Sequence, residues 1–163
     1  MADHKNPRAA DDGIRDAVQA FYDRHPYPPP VDDLEGYRRL WQDDGRRRAD
    51  FHLHWPAKAY RTDVQVLVAG CGTSQAAKHA LRQPASHVVG IDLSATSVRR
   101  SEALKRKYNL ANLEVYHLPV ERAGDLGIAG QVVLLHGCCP PLPARRRVCA
   151  PCGRCCNPTA PCI

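Results

Sequence analysis

Between Val64 and Asp92 the chain reads strand, tight turn, helix, strand and acid, in that order. The first strand is Val64-Gln65-Val66-Leu67-Val68-Ala69 and the turn is Gly70-Cys71-Gly72-Thr73-Ser74. The second strand, His87-Val88-Val89-Gly90-Ile91, delivers Asp92. Short apolar runs closed by turn residues are the mark of parallel strands buried on both faces. A helix between two of them makes a βαβ unit, which commits the chain to an α/β architecture. The same order is the minimal device for holding an adenosine-bearing cofactor. Glycines let the backbone approach the ligand, the helix that follows offers free amide groups, and the acid ending the neighbouring strand accepts hydrogen bonds from two ribose hydroxyls.

The turn separates two kinds of cofactor. A dinucleotide fingerprint asks for G-x-G-x-x-G, with the third glycine allowing close helix–strand packing, and here that position is Gln75. S-adenosylmethionine carries no phosphate and needs only the two glycines found at Gly70 and Gly72. In VLVAGCGTSQ and VVGIDLS the chain resembles the class I S-adenosylmethionine-dependent methyltransferases, over roughly residues 60 to 127. The resemblance continues through an amphipathic helix at Ser94–Tyr108 and a strand at Leu113–His117. It implies a Rossmann-like three-layer sandwich with sheet order 3-2-1-4-5-7-6. This chain supplies the first four strands, the fourth being Gln131–Leu135, left as an apolar edge. By the same resemblance Gly70, Cys71 and Gly72 give close backbone approach to the methionine moiety, and Thr73 and Ser74 open the helix. Asp92 holds the ribose with Leu93 beside it, and the amide of Val120 meets the adenine ring. Two positions depart from the family pattern: Val68 replaces an acid that helps hold the cofactor ammonium, and Pro119 replaces one that pairs with the adenine amino group. The implied reaction is in-line methyl transfer to an acceptor the sequence does not identify, with no nameable general base. A nucleotide-dependent oxidoreductase, a Rossmann-like scaffold that binds nothing, and a non-catalytic binding protein with a zinc-binding tail are the competing readings.

That last reading comes from a break in composition. Three segments follow from it: an N-terminal helical and Pro-rich cap at 1–60, a partial S-adenosylmethionine-binding core at 61–136, and a Cys/Pro/Arg-rich tail at 137–163. Of the eight cysteines, only Cys71 precedes the final stretch from Ala129 to Ile163, which holds no aspartate or glutamate. Cys149-x-x-Cys152-x-x-Cys155 has spacing suited to zinc or an iron–sulfur cluster. A disulfide framework conflicts with a reducing compartment. Out-of-frame translation of a GC-rich gene is the favoured account, with the tail expected to be disordered and to hold no metal. Joining the third base of each codon to the first two of the next, from the Arg147/Val148 junction, permits the string GLRALREVLQPDGAMH. Its helical apolar spacing and Pro-Asp-Gly turn resemble the segment that precedes the fifth strand in class I methyltransferases.

The first sixty residues are polar and mixed. A helix is expected over Asp12–Arg24 with Ile14, Val18, Phe21 and Tyr22 on one face, stopped by His25-Pro26-Tyr27-Pro28-Pro29-Pro30. A second is expected over Asp32–Asp44, with Leu34, Tyr37, Leu40 and Trp41 as its apolar face. Tyr22-x-x-His25-Pro26-Tyr27-Pro28 resembles an N-P-Y-P segment upstream of some methyltransferase domains, where it covers the cofactor cleft. Asp50, His52 and His54 have metal-ligand chemistry, but Phe51, Leu53 and Trp55 interleave with them as an alternating, half-buried segment would. His79 and His117 read as incidental. The 163 residues suit one domain with a real core. The formal charge of +6 leans on Arg145, Arg146, Arg147 and Arg154, so it gives no clear nucleic-acid signature. No apolar run is long enough for a membrane span and the opening residues are polar, which points to a cytoplasmic protein.

Overall fold

The computed structural model describes residues 7–128 and 132–135. Three helices come first: α1 (Pro7–Arg24), α2 (Glu35–Leu40) and α3 (Asp44–His54). Then β1 (Gln65–Ala69), α4 (Gln75–Arg82), β2 (His87–Asp92), α5 (Ala95–Tyr108) and β3 (Leu113–His117) alternate. A 3-10 helix (Val120–Leu126) and β4 (Val132–Leu135) follow.

The four strands form one parallel sheet of order β3-β2-β1-β4. This is the expected start of the class I order, with β1 in the centre, Val66 opposite Val88 on one side and Val132 on the other. Side chains alternate across the pleat. Val66, Val68 and Val88 join Ala76, Ala77, Ala80, Leu104 and Leu113 on the α4/α5 face. Leu67, Ala69, Val89 and Ile91 face the other way, against Leu118, Val120 and Leu126. Val68, at the position of the family acid, is thus a core residue with no exposed surface.

Local chemistry sets the helix limits. Ser94 caps α5 by accepting the Ser97 amide, and Asn109 ends it in the left-handed conformation (φ 51°). The helix expected over 32–44 is divided: α2 stops at Leu40, and Asp43 starts α3 by accepting the Arg46 amide at 3.1 Å. The alternating segment expected around Asp50–Pro56 is the helix α3 instead, up to His54. Period-two spacing there is coincidental, because α3 buries little beyond Phe51, which joins Leu34 in the main core. Asp50 meets Arg82 of α4 at 3.1 Å. The Arg82 guanidinium also donates to Tyr37 Oη at 2.7 and 3.1 Å and lies 4.3 Å from the Trp41 ring centre. One arginine therefore joins α2, α3 and α4. On α1 the face carrying Ile14, Val18 and Phe21 is exposed, not packed as its amphipathic spacing would suggest.

Among the described residues no helix is long and apolar enough to cross a membrane, and no group of three His, Cys, Asp or Glu is placed to hold a metal ion. The cysteine-rich tail, with the disorder and absence of metal expected of it, lies outside the described residues.

Candidate functional site

The glycine turn connects the end of β1 to α4. Gly70 (φ 67°) and Gly72 (φ 55°) occupy backbone conformations that side chains disfavour. The turn is fixed to β2 by the Cys71 amide, which donates to the Ile91 carbonyl at 3.0 Å. The third glycine of a dinucleotide fingerprint is absent, yet helix and strand still approach closely. A Cβ built on Gly90 of β2 would lie 2.7 Å from Ala76 Cβ and 3.1 Å from Cys71 Sγ. The close packing is supplied from the strand instead of the turn.

Asp92 ends β2 beside this turn. Its Oδ2 accepts the Gly72 amide and its Oδ1 the Ser94 amide, both at 2.8 Å. The carboxylate thereby ties the glycine turn to the start of α5. Burial pushes its pKa above the usual carboxylate value, and the two amide hydrogen bonds offset part of that rise. Ser94, fully buried, uses its hydroxyl to donate to Asp23 Oδ1 at 2.7 Å, and Asp23 also accepts the Thr96 amide at 3.0 Å. These donors hold the Asp23 carboxyl below its ordinary value.

The segment after α1 crosses the turn. A Cβ on Gly72 would stand 2.5 Å from the Tyr27 carbonyl oxygen and 2.6 Å from Pro28 Cδ, so this glycine accommodates protein backbone. The Thr73 hydroxyl donates to the Pro28 carbonyl at 2.7 Å, and Ser101 donates to the Gly72 carbonyl at 2.9 Å. Cys71, Gly72, Thr73 and Ser74 are consequently buried, whereas Gly70, Asp92, Leu93 and Val120 keep partial exposure. The Ser74 hydroxyl is buried with no hydrogen-bond partner among the described residues. Val120 opens the 3-10 helix, where an amide has no acceptor within the helix. His117 donates through Nε2 to the Leu93 carbonyl at 2.8 Å, next to Asp92, while His79 is buried on α4.

The sequence signals for the turn and Asp92 therefore meet in one place. Asp23 and Ser101 were not among them, whereas the His25-Pro26-Tyr27-Pro28 run, whose Tyr27 and Pro28 lie against Gly72, was. Only the position of Asp23, two residues before His25 and within the Tyr22-x-x-His25 spacing, could have drawn attention to it.

The model of a methyltransferase domain family matches residues 66–159, more than half of the chain. The chain belongs to this family. Among solved structures, PKMT2 from Rickettsia typhi in complex with AdoHcy aligns with a TM-score of 0.50 at 21% identity, over 69% of this chain and 21% of that one. It supports a fold shared across this methyltransferase domain. Coclaurine N-methyltransferase bound to N-methylheliamine and SAH aligns at 0.44 and 22% identity, over 56% of this chain and 27% of that one. EvdMO1 aligns at 0.48 and 20% identity, over 74% of this chain and 28% of that one. The domain described here thus spans little more than a quarter, at most, of the length of these three proteins.

Proposed function

We propose that this chain is the cofactor-binding part of an S-adenosylmethionine-dependent methyltransferase acting on an unidentified acceptor. The observation that carries the reading is Asp92. Each of its oxygens accepts one backbone amide, and each retains a lone pair for a further donor. A carboxylate whose pKa is raised by burial is short of solvation, and a pair of ribose hydroxyls supplies what it lacks. The buried, unpartnered Ser74 hydroxyl adds an unused polar group at the same turn. The residues present therefore fit the adenosine portion of this cofactor.

When bound, S-adenosylmethionine supplies a methyl group activated by the sulfonium that carries it. The chain's contribution is to bind and orient. Asp92 would hold the ribose, Gly70 would allow backbone approach, and Leu93 and the Val120 amide would line the sugar and adenine sides. Cys71, Gly72 and Thr73 fix the turn through their bonds to Ile91, Asp92 and Pro28. Alignment of acceptor and methyl at near-attack distance is the main catalytic demand on such a site. A cytoplasmic setting belongs to the same reading and suits a reduced, buried Cys71.

Titration calorimetry with S-adenosylhomocysteine and with NAD tests the assignment. Heat with the first and none with the second is expected. Binding of NAD without any response to S-adenosylhomocysteine overturns it in favour of an oxidoreductase. Asp92→Ala is expected to weaken binding by about 1.5–3 kcal/mol, as an upper range, for each ribose hydroxyl that no longer has its acceptor.

The out-of-frame reading of the tail belongs to this proposal as well, since the hidden string resembles the segment that precedes the fifth strand of the family. The family match reaching residue 159 weighs against it. The gene sequence decides between them.

A further inference from the structure

Residues 23–34 run the length of α5 and are held at three places. At the start, Asp23 accepts from Ser94 Oγ and the Thr96 amide. In the middle, the Pro28 carbonyl takes the Thr73 hydroxyl, and the Tyr27–Pro28 backbone covers Gly72. At the far end, Tyr108 Oη donates to Asp33 Oδ1 at 2.8 Å and accepts the Leu34 amide, while the Lys107 ammonium donates to the Asp32 carbonyl. The segment is a strap laid across the residues that carry the proposed cofactor site.

We propose that Asp23 is a positioning residue for that site, holding Asp92 in place through Ser94, and that the strap is energetically coupled to the site's occupancy. This rests on the cofactor reading given above. Ser94 links the two acids: its amide donates to Asp92 and its hydroxyl to Asp23. The hydroxyl has one proton, and because Asp23 takes it, the oxygen is left to accept the Ser97 amide and cap α5. Asp23 therefore sets the orientation of the peptide that presents one of the two amides to Asp92. The other comes from Gly72, whose Cα lies under Tyr27 and whose carbonyl is taken by Ser101. Both supports of the cofactor acid thus depend on the strap or α5. A ligand held by Asp92 gains from every interaction that keeps these amides in place. By thermodynamic reciprocity it tightens the strap by the same factor that the strap tightens the ligand.

The test is titration of the full chain with S-adenosylhomocysteine, together with amide hydrogen exchange. Asp23→Ala is expected to weaken binding about tenfold, the scale of one charge-assisted hydrogen bond. Asp23→Asn, which keeps an acceptor oxygen for Ser94, is expected to recover most of that loss. Asp23→Ala added to Asp92→Asn is expected to cost little beyond Asp92→Asn alone, because Asp23 acts through Asp92. Tyr108→Phe, which releases the far end of the strap without touching the turn, is expected to weaken binding a few-fold. Wild-type affinity in Asp23→Ala, or full multiplication of the Asp23 and Asp92 effects, overturns the inference. If the wild-type chain gives no response to S-adenosylhomocysteine, the cofactor reading fails. Asp23 is then judged on the ligand-free protein alone, where Asp23→Ala is expected to speed exchange at the Ser94 and Gly72 amides. Unchanged exchange there overturns the positioning role.

Discussion

Gly90→Ala tests how α4 is seated on the sheet. The added methyl carbon would lie 2.7 Å from Ala76 Cβ, 3.1 Å from Cys71 Sγ and 3.3 Å from Cys71 Cβ. Carbon pairs settle at about 3.5–4.0 Å, so the helix or strand must give way by about 1 Å. Neither neighbour is the flexible end of a long side chain, and Ala76 and Cys71 are both fully buried. The cost is therefore that of overpacking a rigid core, about 1–3 kcal/mol. For a chain of this size, about 2 kcal/mol lowers Tm by about 4–8 °C. Urea denaturation is the better assay, because a lower midpoint with an unchanged slope reports stability alone. Ala76→Gly removes the nearest clashing atom. By itself it is expected to cost about 1 kcal/mol through helix propensity. Combined with Gly90→Ala it is expected to be less damaging than the two effects summed, by about 1 kcal/mol or more. The rescue is partial because the Cys71 sulfur remains. An unchanged midpoint for Gly90→Ala, or strict additivity in the pair, would refute the close approach of α4 to β2.

Three further outcomes are expected. Arg82→Lys keeps a charge near Asp50 but loses the planar donation to Tyr37 and the stacking on Trp41. It is expected to cost about 1–2 kcal/mol in chemical denaturation, and wild-type stability would show that the helical cap is held elsewhere. Affinity for S-adenosylhomocysteine is expected to fall on acidification, since only ionised Asp92 offers both oxygens to the ribose. With its folded pKa raised, the fall begins above the usual aspartate range, and the same raised value makes Asp92 subtract from fold stability as pH rises through that window. A binding profile flat down to ordinary aspartate pKa values counts against this. Sequencing codons 125 to 163 in three frames is expected to show a longer open frame encoding the hidden string, and an early stop ends that account. Stoichiometric zinc with thiolate geometry in the purified chain revives the metal-site reading.

Much of the sheet was legible because its signals are local. β1, β2, α5 and β3 lie within a residue of their expected limits, since apolar runs, Gly70, the Ser94 cap and Asn109 mark them within a few positions. α3 was not legible. Asp50-Phe51-His52-Leu53-His54-Trp55 alternates apolar and polar side chains by accident, and the helix is fixed by its Asp43 cap and by Arg82, which lies 32 residues away from Asp50. The acid at the site was legible from its place after β2. The His25-Pro26-Tyr27-Pro28 run stood out too, but its anchors did not, because Asp23 meets Ser94 across 71 positions and Pro28 meets Thr73 across 45. No periodicity encodes such pairs.

The strap also sets an order of events during translation. Residues 23–34 are made before their anchoring partners: Thr73, Ser94 and Tyr108 come 45, 71 and 75 positions after the residues they hold. At about 5–20 residues per second, the last anchor is added about 4–15 s after the segment it secures. Through that interval Asp33 and the Leu34 amide lack the Tyr108 hydroxyl that ties them down. Full docking of the strap therefore waits for the end of α5.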